Sequence, residues 1–207
     1  NHDQTNPKHV GLALEGWSNL VLDGGGADFL FHGRMLPISL INSSNVTLKN
    51  FSIDFVNPHI IQAEVISSNP AEGVVFRPAP WTQTRISKDQ KLEAYGEGWV
   101  GHPSHGMAFE KDSRRIVYNT GDLSFNTSGL LDLEDGSYYA PNWKDERLKE
   151  GMVLAMRIGP RPTPGIFISE STNTKLLNIQ VHYAEGMGLL AQLCEDILLD
   201  GFSVSLR

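Results

Sequence analysis

The sequence predicts an all-β protein whose main domain is a right-handed parallel β-helix of about four coils, interrupted by an inserted β-barrel-like domain. Three observations lead to this prediction. A strand pattern recurs four times, twice towards each end of the chain; the second and third copies lie 128 residues apart; and the stretch between them has a different strand pattern. We therefore assign the first coils to residues 1–56, the inserted domain to residues 57–160 and the continuing coils to residues 161–207.

Each copy contains two short stretches in which apolar residues alternate with others. The first stretches are Leu12-x-Leu14, Ile38-x-Leu40, Ile166-x-Ile168 and Leu189-x-Ala191, and the second begin at Leu20, Val46, Thr174 and Ile197. Alternation with a period of two buries one face of a strand. Copies one and two are 26 residues apart and copies three and four are 23 apart, which is the length of a solenoid coil.

Turn residues recur at fixed places in the copies. A small polar or acidic pair precedes each second stretch, and its second members form the column Asn19, Asn45, Asn173 and Asp196. Later in each copy the alternation slips by one residue at an Asn or a Gly. These residue types tolerate a left-handed backbone, so we expect corners at both places and a side-chain ladder along the first column.

The segment between copies two and three has short strands separated by Pro and Gly. We predict strands at Ile61-x-Ala63-x-Val65, Val74–Phe76, Ile116–Tyr118 and Val153–Met156. The segment also contains three of the four tryptophans, Trp81, Trp99 and Trp143. A small β-barrel or sandwich fits this pattern, because a structureless loop of this length is rare in a compact protein.

Composition narrows the classes of partner. The 207 residues carry a formal net charge of −7, which argues against nucleic acid and anionic membranes, since both favour a basic surface. Cys194 is the only cysteine, so no intrachain disulfide can form, and no apolar run is long enough to span a bilayer. The polar start without Met indicates a mature or trimmed piece of a protein.

Candidate functional residues cluster around the third copy. Arg34, His182, Glu185 and Gln192 are predicted to emerge on one flank of the coils, where charge-assisted and amide hydrogen bonds would suit a sugar. The alternative is that these side chains satisfy turn backbone groups or one another. In the inserted domain, Trp81 and the stretch Tyr95–Trp99 could form an aromatic sugar platform, although Trp in a small β domain more often belongs to the core. His102 and His105 are too weak a pair to predict a metal site.

Four phrases carry a resemblance to a known family. They are His32-Gly33-Arg34-Met35-Leu36-Pro37-Ile38, Lys49-Asn50-Phe51-Ser52-Ile53-Asp54-Phe55, Ala94-Tyr95-Gly96-Glu97-Gly98-Trp99 and His182-Tyr183-Ala184-Glu185-Gly186-Met187-Gly188-Leu189-Leu190-Ala191-Gln192. The sequence resembles the N-terminal part of bacterial α-1,3-galactosidases of glycoside hydrolase family 110. The resemblance implies an exo-acting hydrolase that removes terminal α-1,3-linked galactose from blood group B or linear α-Gal glycans with inversion, and it implies no metal or other cofactor.

The resemblance also implies that the catalytic carboxylates lie after Arg207. The family has an Asp-Asp dipeptide there, and this sequence contains none. We therefore expect the 207-residue chain alone to be inactive, and its open coil end to promote self-association. The resemblance implies a periplasmic, cell-surface or secreted bacterial protein. Two other classes stay open: a non-catalytic carbohydrate-binding or adhesion β-helix, and a pectin-lyase-like enzyme, although the latter needs clustered acids for Ca²⁺ that these coils lack.

Overall fold

The structure is a computed structural model that describes residues 6–159 and 161–205. These residues form eighteen β-strands and no helix, which confirms the prediction of an all-β protein. In chain order the strands are β1 (Val10–Glu15), β2 (Ser18–Phe31), β3 (Leu36–Ile41), β4 (Ser44–Phe55), β5 (Ile60–Asn69), β6 (Gly73–Pro78), β7 (Thr84–Ile86), β8 (Leu92–Gly96), β9 (Trp99–Gly101), β10 (Pro103–Glu110), β11 (Leu123–Ser124), β12 (Leu131–Asp132), β13 (Tyr138–Ala140), β14 (Met152–Ile158), β15 (Ile166–Ser169), β16 (Thr172–Val181), β17 (Leu189–Gln192) and β18 (Glu195–Val204).

The described residues divide into two compact units. The first unit contains the chain up to Pro58 and from residue 161 onwards, and the second contains His59–Gly159. The predicted domain boundary at residue 160 and the chain end at Arg207 lie outside the described residues. No helix in the part of the chain that is described could cross a membrane.

The first unit consists of two four-stranded sheets in which every strand pair is parallel. One sheet has the order β1-β3-β15-β17 and the other has the order β2-β4-β16-β18. Successive strands of this unit therefore alternate between the two sheets. The register pairs Leu12 with Ile38, Ile38 with Ile166, and Ile166 with Leu189, so residues at equivalent positions of the four copies lie side by side.

Both sheets contribute to one apolar core. Its fully buried members include Ile38 and Leu40 from the first sheet and Val46, Leu48 and Ile53 from the second. The alternation in the sequence thus places the same positions of each copy inward, and burying a side chain of this size stabilises the fold by about 1.5–3 kcal/mol. Thr174 is a polar residue at one of these inward positions: it lies in the column of Val46 and Ile197 and is fully buried.

The corners use a left-handed backbone at the residue types that the sequence predicted. Asn19, Asn45, Asn173 and Asp196 have φ values of 57°, 53°, 49° and 54°. The side-chain ladder is present along the asparagines: Asn45 Nδ2 donates to Asn19 Oδ1 at 2.6 Å, and Asn173 Nδ2 donates to Asn45 Oδ1 at 3.1 Å. The three asparagine corners are therefore held to one another by amide hydrogen bonds as well as by the backbone.

The first copy differs from the others by a bulge. Strand β2 runs on to Phe31, and its register against β4 shifts between Asp23 and Ala27. A Cβ on Gly24 would lie 2.7 Å from the carbonyl oxygen of Asn50, so only glycine fits where the bulge approaches the neighbouring strand. The strand thus continues beyond the glycine run at which the sequence pattern predicted the end of the first copy.

Cys194 has a structural position in the last corner. Ser43 and Ser171 occupy the equivalent corners, and each hydroxyl donates to the carbonyl oxygen two residues earlier, at 2.8 Å and 2.9 Å. The Cys194 thiol makes the same contact with the carbonyl oxygen of Gln192 at 3.0 Å. The cysteine therefore replaces a corner serine.

The second unit is built from antiparallel sheets. The larger has seven strands in the order β11-β10-β14-β5-β6-β13-β12, and the smaller has three in the order β7-β8-β9. The first and last strands of the unit, β5 and β14, are neighbours, with Ile60 opposite Arg157. The chain therefore enters and leaves this unit at adjacent points.

The core of the second unit combines aliphatic and aromatic side chains, and two of the unit's tryptophans belong to it. Trp143 packs edge-on against Phe76 and Phe125, with ring centroids 5.9 Å and 5.0 Å away. Trp99 is also buried. The predicted strand at Ile116–Tyr118 is wrong: Ile116 forms only an isolated bridge with Phe109, and the chain then turns.

Candidate functional site

The candidate site lies where the chain leaves the β2/β4/β16/β18 sheet and returns to the other parallel sheet. Residues 32–35 make this crossing between β2 and β3, and residues 182–188 make it between β16 and β17. Backbone bonds fix the second segment, since Gly165 N donates to Met187 O at 2.9 Å and His182 N donates to Ile53 O at 2.9 Å. Thr163 Oγ1 donates to Met35 O at 3.2 Å and so fixes the first.

Arg34 and Glu185 meet between these two crossings, although 151 residues separate them in the sequence. Arg34 Nε donates to Glu185 Oε1 at 2.7 Å, and Nη2 donates to Oε2 at 3.1 Å. The Glu185 side chain is 2% exposed and that of Arg34 is 36% exposed. Such two-point pairs fix the plane of the guanidinium, and with Nε and Nη2 engaged the Nη1 amino group points away from the carboxylate.

His182 lies on the same crossing segment and is half-buried. Its Nδ1 is 3.3 Å from the carbonyl oxygen of Ser205. A carbonyl oxygen only accepts, so this contact favours the tautomer with the proton on Nδ1 and leaves Nε2 as an acceptor.

Gln192 is placed apart from the other three predicted residues. It ends strand β17, whereas the segment with His182 and Glu185 leads into the start of that strand. Gln192 is three residue steps beyond Leu189, and three steps of extended chain span about 10 Å. Gln192 is exposed, and its carbonyl oxygen accepts from Glu170 N at 3.2 Å. The structure thus brings together Arg34 and Glu185 beside the His182 segment, but it does not bring Gln192 to them.

Asp54 is a buried acidic residue beside this segment that the sequence analysis did not select. Its carboxylate accepts a hydrogen bond from Phe55 N at 2.8 Å. Val181 pairs with Ile53, so His182 follows in the position next to Asp54 on the neighbouring strand. Extending the repeat alignment by one residue would have revealed this neighbour.

The predicted aromatic platform of the second unit is not formed as a group. Trp99 is in the core, with its ring centroid 4.8 Å from that of His59. Tyr95 lies beneath Arg85, whose Cζ is 4.9 Å from the ring centroid. Trp81 is partly exposed. His105 Nδ1 contacts Ser104 Oγ, and residues 6–159 and 161–205 contain no group of three or more His, Cys, Asp or Glu side chains suited to a metal ion.

Three aspartates have lowered pKa values and structural roles. Hydrogen bonds from Ser137 lower the pKa of Asp135, and those from Arg147 lower the pKa of Asp145. Asp23 is the base of a second ladder, in which Asn178 Nδ2 donates to Asn50 Oδ1 and Asn50 Nδ2 donates to Asp23 Oδ1. This contact, with further bonds from Gly25 N and Lys49, lowers the pKa of Asp23 to about 2.

This chain is similar along its length to bacterial proteins that are named as galactosidases. Residues 61–154 match the family model described as GLAA-B beta-barrel domain I. The whole chain is 57% identical to a protein of Phocaeicola vulgatus and 52% identical to one of Parabacteroides distasonis, both named alpha-1,3-galactosidase B. Over 93% of its length it is 30% identical to alpha-1,3-galactosidase A of Bacteroides fragilis. The chain spans 35%, 34% and 32% of the lengths of these relatives.

Proposed function

We propose that this chain is part of an exo-acting glycoside hydrolase, because it belongs to the same family as the bacterial proteins named alpha-1,3-galactosidase B. The substrate we propose is terminal α-1,3-linked galactose on glycans such as blood group B or linear α-Gal structures, hydrolysed with inversion. The observation that carries the proposal is the 57% identity over all 207 residues. Such glycans occur outside the bacterial cell, so we also propose export, which cell fractionation would test.

We further propose that the first unit is a right-handed parallel β-helix. The support is the alternation of its strands between two all-parallel sheets that share one core. In that arrangement the crossing segments after β2 and β16 lie on the same flank of the coils, where Arg34 and Glu185 meet. We propose that this flank borders the sugar site.

Within the flank, Arg34 is the residue we assign to the substrate. Its Nη1 group points away from Glu185 and can donate to a sugar hydroxyl, while both carboxylate oxygens of Glu185 are engaged with Arg34. Glu185 is thus a positioning residue in this proposal. His182, on the same crossing segment as Glu185, is a second predicted contact. Gln192, farther along β17, stays a predicted contact.

The acid and the base of the reaction are proposed to lie outside these 207 residues. An inverting hydrolase needs one carboxylic acid at the leaving oxygen and one carboxylate at the attacking water, about 6.5–9.5 Å apart. Glu185 is almost fully buried and paired with Arg34, and Asp54 is 5% exposed. Glu185 is held by Arg34 and Asp54 accepts from a backbone amide, so we assign structural roles to both carboxyl groups.

A comparison of this chain with a longer protein that contains it tests the proposal. Both are assayed on a chromogenic α-galactoside and on the blood group B trisaccharide. We expect turnover by the longer protein only. Equal turnover by the 207-residue chain would refute the placement of the acid and base, and glycan binding without turnover by the longer protein would favour a carbohydrate-binding β-helix instead.

Variants of the longer protein test the flank. We expect Arg34→Ala to raise KM about tenfold, the equivalent of one lost charge-assisted hydrogen bond of about 1.4 kcal/mol. Glu185→Gln should raise KM less, because the amide can still hold part of the guanidinium. Lys49→Ala, which removes a surface ion pair with Asp23, is the matched control and should leave KM unchanged. An unchanged KM in Arg34→Ala would remove Arg34 from the site.

A further inference from the structure

The three-stranded sheet of the second unit presents a polar outward face. Leu92 and Ala94 of β8 are buried, so the alternate residues Glu93 and Tyr95 point the other way. In the register, Glu93 lies opposite Arg85 of β7, and Tyr95 lies opposite Val100 of β9. The four side chains therefore share one face of the sheet.

An ion pair organises this face. Arg85 Nε donates to Glu93 Oε1, and the guanidinium also lies over the Tyr95 ring. The Glu93 side chain is only 15% exposed, so the carboxylate is held in place rather than free in solvent. Because Arg85 occupies Oε1, the second oxygen, Oε2, is directed to the neighbouring histidine.

His102 follows strand β9, and its ring is oriented by the backbone. Its Nδ1 is 3.0 Å from the carbonyl oxygen of Leu92, which can only accept, so Nδ1 carries a proton. Nε2 lies 3.9 Å from Glu93 Oε2, beyond the range of a direct hydrogen bond. With a neutral imidazole, two fixed acceptors therefore face each other across a short gap.

We propose that this gap binds two adjacent hydroxyl groups of a neutral hexose. A single alcohol has one proton and can donate to only one of the two acceptors, whereas a vicinal diol can donate to Glu93 Oε2 with one hydroxyl and to His102 Nε2 with the other. Glu93 Oε2 and His102 Nε2 are 3.9 Å apart, and two neighbouring hydroxyl oxygens can each lie about 2.8 Å from its own acceptor at that separation.

The surroundings favour a neutral sugar over a charged one. The carboxylate repels an anionic sugar, and the positive charge of Arg85 is already engaged by Glu93. Val100, which is exposed, and the edge of Tyr95 supply apolar surface for the carbon skeleton of the ring. This site lies within the second unit and is independent of the proposed role of Arg34, so either proposal can fail without the other.

The test is a titration of the 207-residue chain with methyl α-galactopyranoside, followed by NMR signals of the His102 imidazole and the Tyr95 ring. We expect saturable shifts at millimolar ligand, and no saturable shift with methanol, which offers one hydroxyl. A methyl glucoside, which also has vicinal hydroxyls, should bind as well.

Two variants make the test specific. Glu93→Gln replaces a charged acceptor and should weaken binding about tenfold or more. Glu110→Gln is the control: it alters an exposed carboxylate of the same unit that accepts from Ser113, and binding should not change. The proposal is overturned if neither sugar gives saturable shifts, if methanol gives the same shifts, or if Glu93→Gln binds as tightly as the parent chain.

Discussion

Replacing Thr174 with valine should stabilise the first unit. Thr174 is fully buried in the apolar column of Val46 and Ile197, and within the described part of the chain its Oγ1 has no hydrogen-bond partner. A buried hydroxyl without a partner costs about 1–3 kcal/mol. Valine has nearly the same shape and replaces the hydroxyl with a methyl group. We therefore expect a gain of about 1–2 kcal/mol in the free energy of unfolding.

Hydrogen exchange can measure this gain locally, which matters because a two-unit protein need not unfold in a single step. A gain of about 1.4 kcal/mol slows exchange through unfolding about tenfold. We expect that slowing in amides of β4, β16 and β18, and none in β10 or β14, which belong to the other unit. Thr172→Val, at an exposed position of the same strand, is the matched control. Unchanged or faster exchange in Thr174→Val would mean that the hydroxyl is satisfied in solution and would refute the reasoning.

Two further predictions concern the corners. Leu193 has φ 52° and is 77% exposed, at the position equivalent to Asn42, so its left-handed backbone is strained. Leu193→Asn should therefore raise the free energy of unfolding of this unit in urea by about 0.5–1 kcal/mol. An unchanged free energy of unfolding would contradict the strain at Leu193. The folded pKa of Asp23, about 2, lies below the ordinary 3.8, so its stabilising contribution is present above pH 4 and is lost as the pH falls towards 2. Asp23→Asn should reduce the loss of stability between pH 4 and pH 2, with unfolding followed by circular dichroism at each pH. If the variant lost as much stability over this range as the parent chain, the lowered pKa of Asp23 would not be its cause.

Sequence reasoning succeeded where one local pattern is repeated. Apolar residues at fixed offsets predicted which positions pair, and Asn45 and Asn173 predicted corners, because both inferences use residue type and spacing alone. It failed where a stretch is not repeated. Ile116–Tyr118 has strong strand propensity, yet Thr120 Oγ1 donates to Val117 O at 2.7 Å and the chain turns there.

The candidate site was predictable only in part for a similar reason. Arg34 and Glu185 were both selected from the sequence, but their pairing depends on how two crossing segments align after an inserted unit, which no local pattern encodes. The separation of Gln192 depends on the length of β17. Trp99 could not be assigned to surface or core until its packing against His59 was known.

The adjacency of β5 and β14 affects the order in which the chain can fold. Strands β4 and β16 pair across 128 residues, whereas neighbouring copies elsewhere pair across 26 or 23. Closing the longer loop costs about 1.4 kcal/mol more than closing one of 26 residues, at about 0.6 kcal/mol per doubling. If the inserted unit folds first, its two ends are already together and most of that entropic cost is removed. The insertion would then act as a folding template for the coils on either side of it.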